Sequence, residues 1–555
     1  MSGSRAGYLI AVSVMAVVVS PNFIVQYMSG VDLGVREIFY LWLGLVLVPL
    51  PLLVVPVRGY LRFLSLFILG IPAYVFHYSL LRGIPSVSSY GAVFETDREE
   101  VVGVVTGMEW FLLATVAVVI ACNVAIGRID RSFRPGRKAK GAILVLALVP
   151  LILNTARDIK VAHAEERGVI FSLEKRISQT YPYGEVVKIA RAYGERLRLA
   201  HALEDKKDFR FGASKRRESG EREIYVVVVG ETARYANWGI NGYARDTSPR
   251  LSATPGVISF RNVYTMSNQT RMSVPMTLTR SIPEAPDRYL REKSLCAAFK
   301  EAGFRVYWLS NAPVLGGYDS TTSLIAMEAD EIVRVNSLAE ANDFAEGTHD
   351  DALLAPLAEA LGRNDPKVAI FLQTVGSHYR YAMKYPASFD RFQPSGRDSR
   401  KSGFANLENR EELVNSFDNT ILFADHLLGE AIDAVAAQDA VAALFYFSDH
   451  GENLLDDGRQ LFSHGTSGTP SEFELHIPFF IWLSERYHTA YPEKSRRLLE
   501  RQDAPLSLSH FFPTVLDVAD ITYGEERLAE SFAAEEFLPA PRSVLTMDRE
   551  VIRLP

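Results

Sequence analysis

The first 155 residues carry few charges and contain five apolar segments, and a sequence of ordinary soluble character follows them. A helix needs about 20 apolar residues to cross a membrane, and most of these segments are close to that length. The last segment is short and contains Pro150. We therefore predict a transmembrane domain of five helices over residues 1–155, with spans at Tyr8–Tyr27, Ile38–Val57, Leu61–Leu81, Trp110–Ile126 and Ala142–Asn154.

Basic residues between these segments predict the orientation of the domain, because Lys and Arg accumulate on the cytoplasmic side of a membrane. Arg5 precedes the first segment, and Arg58 and Arg62 lie between the second and third. The loop between the fourth and fifth segments adds Arg128, Arg131, Arg134, Arg137, Lys138 and Lys140. With five spans all of these fall on one side, so the remainder of the chain lies on the other. In a bacterium this pattern predicts a multi-pass protein of the inner membrane with its soluble part in the periplasm.

The soluble part divides into a charged bridge and a large domain. Residues 156–222 are rich in Lys, Arg and Glu, and within them Val186, Ile189, Ala190, Tyr193 and Leu197 are spaced for one face of a helix. Such a helix would lie on the membrane surface or form a solvated linker. From residue 223 to 555, apolar strand patterns alternate with helical ones, which predicts an α/β domain with a mainly parallel sheet.

Three short apolar runs in this domain end in polar residues suited to metal binding. The runs Ile224–Val229, Lys367–Thr374 and Ala442–Ser448 have the continuous apolar character of parallel strands covered on both faces. They lead directly into Glu231, into His378, and into Asp449 and His450. Because parallel sheets bind ligands at the carboxyl ends of their strands, we predict that these side chains meet at one edge and form a metal site.

Charge and cysteine content restrict the partners and the metal ligands. The formal net charge of -7 argues against a nucleic-acid partner, since such proteins usually carry a basic surface. Cys122 lies in an apolar segment and Cys296 in the soluble part, so we expect neither a disulfide nor a cysteine-based zinc site. Oxygen and imidazole ligands remain, and zinc accepts both. The hydroxyl-rich stretch 265–275 resembles a turn into a helix and offers a nucleophile that a metal could activate.

Five ordered motifs, the first of them in two segments, give the chain a specific resemblance. The segments are Val229–Arg234 with Gly242–Arg250, then Thr270–Pro275, Gly376–His378, Ser448–Glu452 and Phe462–Gly465. With these motifs the chain resembles the phosphoethanolamine transferases of the alkaline phosphatase/sulfatase superfamily, membrane enzymes that modify lipid A or the lipopolysaccharide core. The resemblance extends over essentially the whole chain, including the spans that precede the soluble domain.

The resemblance implies a role for each site residue. Thr270 would be the nucleophile, and the Zn²⁺ ligands would be Glu231, Thr270, Asp449 and His450. His378 and His464 would bind substrate or a second metal, and Glu452 would orient a ligand. Each residue also has a structural alternative: Thr270 could cap a helix, Glu231 could form a salt bridge, and the histidines could be buried packing residues.

The resemblance also implies a reaction. A monomer would transfer phosphoethanolamine from phosphatidylethanolamine to lipopolysaccharide, at lipid A or the core, through a phospho-threonine type of intermediate. The alternatives are a periplasmic glucan as acceptor, a phosphoglycerol transferase that uses phosphatidylglycerol, and a membrane scaffold without activity. Many family members place a disulfide beside the nucleophile, where this chain has Met266 and Met276. That difference weakens the lipid A assignment in favour of core sugars or glucans.

Overall fold

The computed structural model describes residues 3–29, 35–81, 84–95, 109–148, 177–178, 180–218, 220–312, 321–336, 348–397, 409–466, 468–524 and 528–554. The chain divides into two compact units. One comprises Met1–Gly91 with Glu100–Gly194, and the other comprises Ala92–Glu99 with Glu195–Pro555.

Apolar helices make up the first part of the chain. Their bounds are Gly3–Ser29, Val35–Leu47, Val57–Leu66, Ile71–Leu81, Val87–Glu95 and Glu109–Gly127, with 3-10 turns at Leu50–Leu53 and Phe67–Gly70. A further helix covers residues 137–148. Among the described residues, three helices are long and apolar enough to cross a membrane: Arg5–Met28, Val57–Ser79 and Glu109–Gly127.

These three helices coincide with the first, third and fourth predicted spans. The second predicted span forms a 13-residue helix and then a 3-10 turn, because Pro49 and Pro51 interrupt the helical hydrogen bonds. Residues 149–154 of the fifth predicted span lie outside the described residues. The five-span model therefore stays a prediction.

The predicted amphipathic helix of the bridge is present as Tyr183–Asp205. Four of the apolar side chains predicted to share one face are exposed, namely Val186 at 45%, Ile189 at 41%, Tyr193 at 55% and Leu197 at 49%. Ala190, the fifth member of that face, is exposed as well.

A seven-stranded sheet forms the centre of the soluble domain. Its strands, labelled β1 to β7 in chain order, are Glu223–Gly230, Val257–Phe260, Arg305–Ser310, Glu331–Arg334, Lys367–Gln373, Val441–Ser448 and Phe479–Leu483. The spatial order is β2-β7-β6-β1-β5-β3-β4. All residues of β1 and β6 are buried, as their continuous apolar sequences predicted.

The sheet is mixed. Strands β6, β1, β5, β3 and β4 pair in parallel, whereas β7 runs antiparallel to both of its neighbours, β6 and β2. The strand predicted at Ile477–Leu483 is thus present as β7, but in the opposite direction to the rest. A continuous apolar run indicates burial on both faces and carries no information on strand direction.

Helices cover both faces of this sheet. The predicted helix at Glu411–Ala436 is confirmed as Arg410–Ala436. The other helices are Pro249–Ala253, Thr270–Leu278, Leu295–Glu301, Thr321–Ala326, Leu354–Gly362, Glu472–Leu475, Glu485–Ala490, Pro492–Glu500 and Phe511–Val518. Short strand pairs join Ser214–Lys215 to Ile521–Thr522, Asn453–Leu454 to Phe462–Ser463, Val263–Tyr264 to Leu506–Ser507, and Ser543–Leu545 to Val551–Arg553.

Candidate active site

The carboxyl ends of β1 and β6 bring three predicted metal ligands together. The two strands are adjacent and parallel, with Gly230 opposite Ser448, so the residues that follow them are neighbours as well. Asp449 N–H donates to the Gly230 carbonyl oxygen at 3.1 Å, which continues the ladder for one more residue. As a result, potential ligand atoms of Glu231, Asp449 and His450 all lie within 4.8 Å of one another.

The two carboxylate oxygens of Asp449 have different partners: one accepts backbone hydrogen bonds, and the other lies near the His450 ring. Its Oδ1 atom accepts hydrogen bonds from the backbone N–H groups of Thr232 at 2.9 Å and His450 at 2.8 Å. Its Oδ2 atom is buried without a hydrogen-bond donor among the described residues, and it lies 3.2 Å from His450 Nε2. A buried carboxylate oxygen of this kind is stabilised by a positive charge placed beside it.

The His450 ring is oriented so that one nitrogen is available to a metal. Its Nδ1 atom lies 2.9 Å from the Gly451 carbonyl oxygen, which can only accept, so Nδ1 carries the hydrogen. Burial holds the pKa of His450 well below its ordinary range, so the ring is neutral and Nε2 keeps its lone pair. That atom lies 3.6 Å from Glu231 Oε1. A carbonyl partner on the far nitrogen is the usual arrangement for a metal-binding histidine.

The surroundings of the two carboxylates favour their protonated forms. Burial, followed by the negative charge of Asp449, raises the pKa of Glu231 well above its ordinary value. Burial also raises the pKa of Asp449. Two buried carboxylates this close stabilise a cation between them, and with an imidazole nitrogen they form a donor set that suits a divalent metal.

Thr270 places a hydroxyl group at these ligands. It is the first residue of the helix Thr270–Leu278, and its Oγ1 atom lies 3.2 Å from each carboxylate oxygen of Glu231. The same atom lies 3.1 Å from His450 Nε2. Thr270 is only partly buried. The arrangement is that of a nucleophile placed beside a metal site.

His464 lies beside the His450 ring, and His378 and Glu452 lie beside His464. The ring centroids of His450 and His464 are 4.1 Å apart, and those of His464 and His378 are 5.8 Å apart. Glu452 Oε2 lies 3.5 Å from His464 Nδ1. The structure therefore brings all seven predicted site residues into one cluster.

The two outer histidines differ in charge. Burial alone would lower the pKa of His464, but the carboxylates of Glu452, Glu231 and Asp449 raise it to about 9. Burial and the neighbouring positive charges of Lys384 and His464 lower the pKa of His378 to about 3. At neutral pH His464 is thus a proton donor and His378 is neutral.

Several residues that support this cluster were not found from the sequence. Thr265 and Ser273 donate hydroxyl hydrogen bonds to the Asp449 carbonyl oxygen at 2.5 and 2.6 Å. The carboxylate of Asp350 accepts from the backbone N–H groups of Val375 and Gly376 at 2.9 and 2.8 Å, which fixes the loop that carries His378. Isolated Thr, Ser and Asp residues are too common for a sequence signal to mark them.

Comparison with known sequences finds a matching family model and several relatives. The family model described as Sulfatase matches residues 223–521. The chain is 28% identical over 311 residues to the phosphoethanolamine transferase EptC of Escherichia coli O18:K1:H7, a match that covers 55% of this chain. The matched region spans only about half, 52%, of that relative's own length.

Solved structures show the same fold. The crystal structure of the C-terminal periplasmic domain of EptC from Escherichia coli in complex with Zn matches with a TM-score of 0.55 and 25% identity, covering 61% of this chain and 94% of that one. The integral membrane lipooligosaccharide phosphoethanolamine transferase A of Neisseria meningitidis matches with a TM-score of 0.73 and 20% identity. That second match covers 95% of this chain and 98% of the other.

Proposed function

Because this chain belongs to the sulfatase family, we propose that it transfers phosphoethanolamine from phosphatidylethanolamine to a lipopolysaccharide acceptor, at lipid A or the core. The observation that carries the proposal is the Thr270 hydroxyl, which lies 3.1 to 3.2 Å from His450 Nε2 and the Glu231 carboxylate. The similarity to a named phosphoethanolamine transferase supports the choice of transferred group.

Zinc is the metal we propose for this site. The ligands would be Glu231, Asp449 and His450, with Thr270 in the fourth position. A related periplasmic domain has been solved in complex with Zn, and the oxygen and imidazole donors found here suit that ion. Bound zinc would act as a Lewis acid that lowers the pKa of the Thr270 hydroxyl and stabilises negative charge on the phosphoryl oxygens.

The residues of the chain then support a double displacement. Thr270 Oγ1 forms a bond to the donor phosphorus while the bond to the glycerol oxygen breaks, so diacylglycerol leaves and phosphoethanolamine stays on Thr270. The Thr270 proton is released to solvent. A hydroxyl or phosphate oxygen of the acceptor next attacks the same phosphorus, and the bond to Oγ1 breaks. Oγ1 takes back a proton from solvent, and His464 is reprotonated by the acceptor hydroxyl or by solvent, so Thr270 and His464 are both regenerated.

His464 and His378 would serve the leaving group and the acceptor. His464 has a pKa of about 9, so it holds a proton at neutral pH that it can give to the departing glycerol oxygen. His378 has its pKa lowered to about 3 and would accept a hydrogen bond from the acceptor. Glu452, 3.5 Å from His464 Nδ1, would keep that ring oriented.

We propose that the chain is a multi-pass protein of a bacterial inner membrane and acts there as a monomer. The transmembrane domain would comprise residues 1–155 with five spans, the bridge 156–222, and the periplasmic catalytic domain 223–555. Three helices of spanning length support a multi-pass membrane protein. The exposed apolar side chains of the bridge helix support contact with the membrane surface. Anchoring at the bilayer would keep the site close to its phospholipid donor.

A reporter fusion tests this topology. A reporter that is active only in the cytoplasm should work when fused near Arg137 and should be silent when fused near Pro555, because the basic loop and the catalytic domain are predicted on opposite sides. A periplasmic reporter should give the reverse pattern. Cytoplasmic activity near Pro555 would contradict the five-span model.

Mass spectrometry of envelope glycolipids tests the transfer itself. Bacteria that express the chain should add the mass of one phosphoethanolamine group to lipid A, to the core or to periplasmic glucans, whereas cells expressing Thr270→Ala should not. The acceptor class that gains the mass identifies the substrate. A gain of glycerol phosphate would assign the chain to the phosphoglycerol transferases, and no gain on any class would refute transfer.

A further inference from the structure

Thr232, directly after the predicted ligand Glu231, has a backbone conformation that is unusual for its residue type. Its φ angle is +60°, in the left-handed region. Glycine or asparagine is usual there, and a β-branched residue is a real outlier. Such strain persists only where the surroundings enforce it. The side chain is fully buried.

This conformation lets Thr232 donate to both predicted carboxylate ligands at once. Its backbone N–H donates to Asp449 Oδ1 at 2.9 Å, and its hydroxyl donates to Glu231 Oε1 at 2.6 Å. Both distances are those of ordinary hydrogen bonds. One residue therefore supplies a donor to each of two acids that repel each other.

The surrounding contacts keep Thr232 in this place. The next residue, Ala233, donates its N–H to Ser448 Oγ at 2.8 Å, and Ser448 Oγ donates to the His450 carbonyl oxygen at 2.8 Å. The segment after β1 is thus attached to the segment after β6 on both sides of Thr232. A small rotation of Glu231 would have to break the Thr232 hydroxyl bond.

We infer that Thr232 is a positioning residue of the metal centre, whose hydroxyl fixes the Glu231 carboxylate in the orientation that binds the ion. The inference rests on the metal centre of the proposed function. Partners that orient a ligand in this way are worth about 10–100-fold in metal affinity. Nothing in the role requires contact between Thr232 and a substrate.

Zinc affinity of the full-length protein in detergent, measured with zinc alone against a competing chelator, tests this role. Thr232→Val has the same shape without the hydroxyl and should bind zinc about 10–100-fold more weakly. Thr232→Ser keeps the hydroxyl and should bind within about threefold of the unsubstituted protein. Thr232→Ala removes the same hydroxyl with less strain and replaces the valine variant if that variant does not fold.

Thr514→Val is the matched control. Thr514 is also fully buried, but its hydroxyl donates to the His510 carbonyl oxygen at 2.7 Å, on a helix outside the site. This variant should unfold at a lower temperature and bind zinc with unchanged affinity.

Unchanged affinity in Thr232→Val would overturn the inference, and so would an equal loss in Thr514→Val or in Thr232→Ser. If the unsubstituted protein binds no zinc, the proposed metal centre itself is wrong and the inference is wrong with it.

Discussion

Thr270→Ala is expected to abolish phosphoethanolamine transfer, with a loss of at least about a thousandfold, because it removes the only atom on which the transferred group can rest in a double displacement. The Thr270 hydroxyl lies 3.2 Å from Glu231 Oε1 and 3.1 Å from His450 Nε2. The three other residues proposed as metal ligands are unchanged, so the variant should still bind zinc.

The covalent intermediate gives this prediction a direct measurement. Full-length protein incubated with phosphatidylethanolamine and no acceptor should gain the mass of one phosphoethanolamine group on a peptide that contains Thr270. Thr277→Ala is the matched control on the same helix, since the Thr277 hydroxyl donates to the Ser273 carbonyl oxygen at 2.8 Å within that helix. It should form the adduct normally.

Thr270→Ser separates the hydroxyl from the methyl group. Serine keeps the nucleophilic oxygen but loses the methyl that restricts the χ1 rotamer, so partial activity is expected. Comparable transfer by Thr270→Ala would mean that the acceptor attacks the donor directly and that the double displacement is wrong. An adduct of glycerol phosphate, with both lipids supplied, would keep Thr270 as nucleophile and change the donor.

The sequence allowed prediction of those site residues that directly follow a strand. The apolar runs before Glu231 and Asp449 have no polar interruption, so their burial could be inferred from sequence. The two strands are adjacent and parallel in the structure, and such strands place the next residues side by side. Thr270 follows no strand. Its place near Glu231 was expected only through the family resemblance, since a helix start such as Gln269–Thr270 is compatible with many surroundings.

Other features depended on contacts between distant residues. The αL conformation of Thr232 is imposed by partners more than 200 residues away, at Ser448 and Asp449, and its local sequence gives no sign of it. Strand β7 reverses direction although its sequence resembles that of its parallel neighbours. The hydrophobicity of the second apolar segment predicted a span, yet Pro49 and Pro51 end its helix early because they cannot donate backbone hydrogen bonds.

Asp449→Asn is expected to weaken zinc binding by about a hundredfold or more, while the metal-free protein becomes more stable. The amide keeps the shape, and its oxygen can still accept from Thr232 N–H and His450 N–H. The charge that binds the ion is lost. In the metal-free protein that same charge raises the pKa of Glu231, after burial itself, so removing it relieves a repulsion.

The sign of the stability change follows from the raised pKa values. Glu231 and Asp449 have folded-state pKa values above their unfolded ones, so between those values the folded state holds more protons. The free energy of unfolding of the metal-free protein should therefore fall as pH rises from the unfolded pKa through the folded pKa, and the loss should be smaller in Asp449→Asn. With zinc in excess the order should reverse, since the unsubstituted protein binds zinc more tightly and gains more binding energy.

Thermal unfolding of the full-length protein with chelator and with excess zinc, combined with zinc titration, measures both effects. Asp425→Asn is the matched control, because Asp425 is buried, accepts the backbone N–H groups of Arg250 and Leu251 at 2.8 and 2.9 Å, and has its pKa raised to about 6 by burial. Asp425 lies outside the metal cluster, so Asp425→Asn should leave zinc affinity unchanged.

Equal zinc affinity in Asp449→Asn and the unsubstituted protein would exclude Asp449 as a ligand. A lower melting temperature of the metal-free variant would show that the Asp449 charge stabilises the fold by another contact.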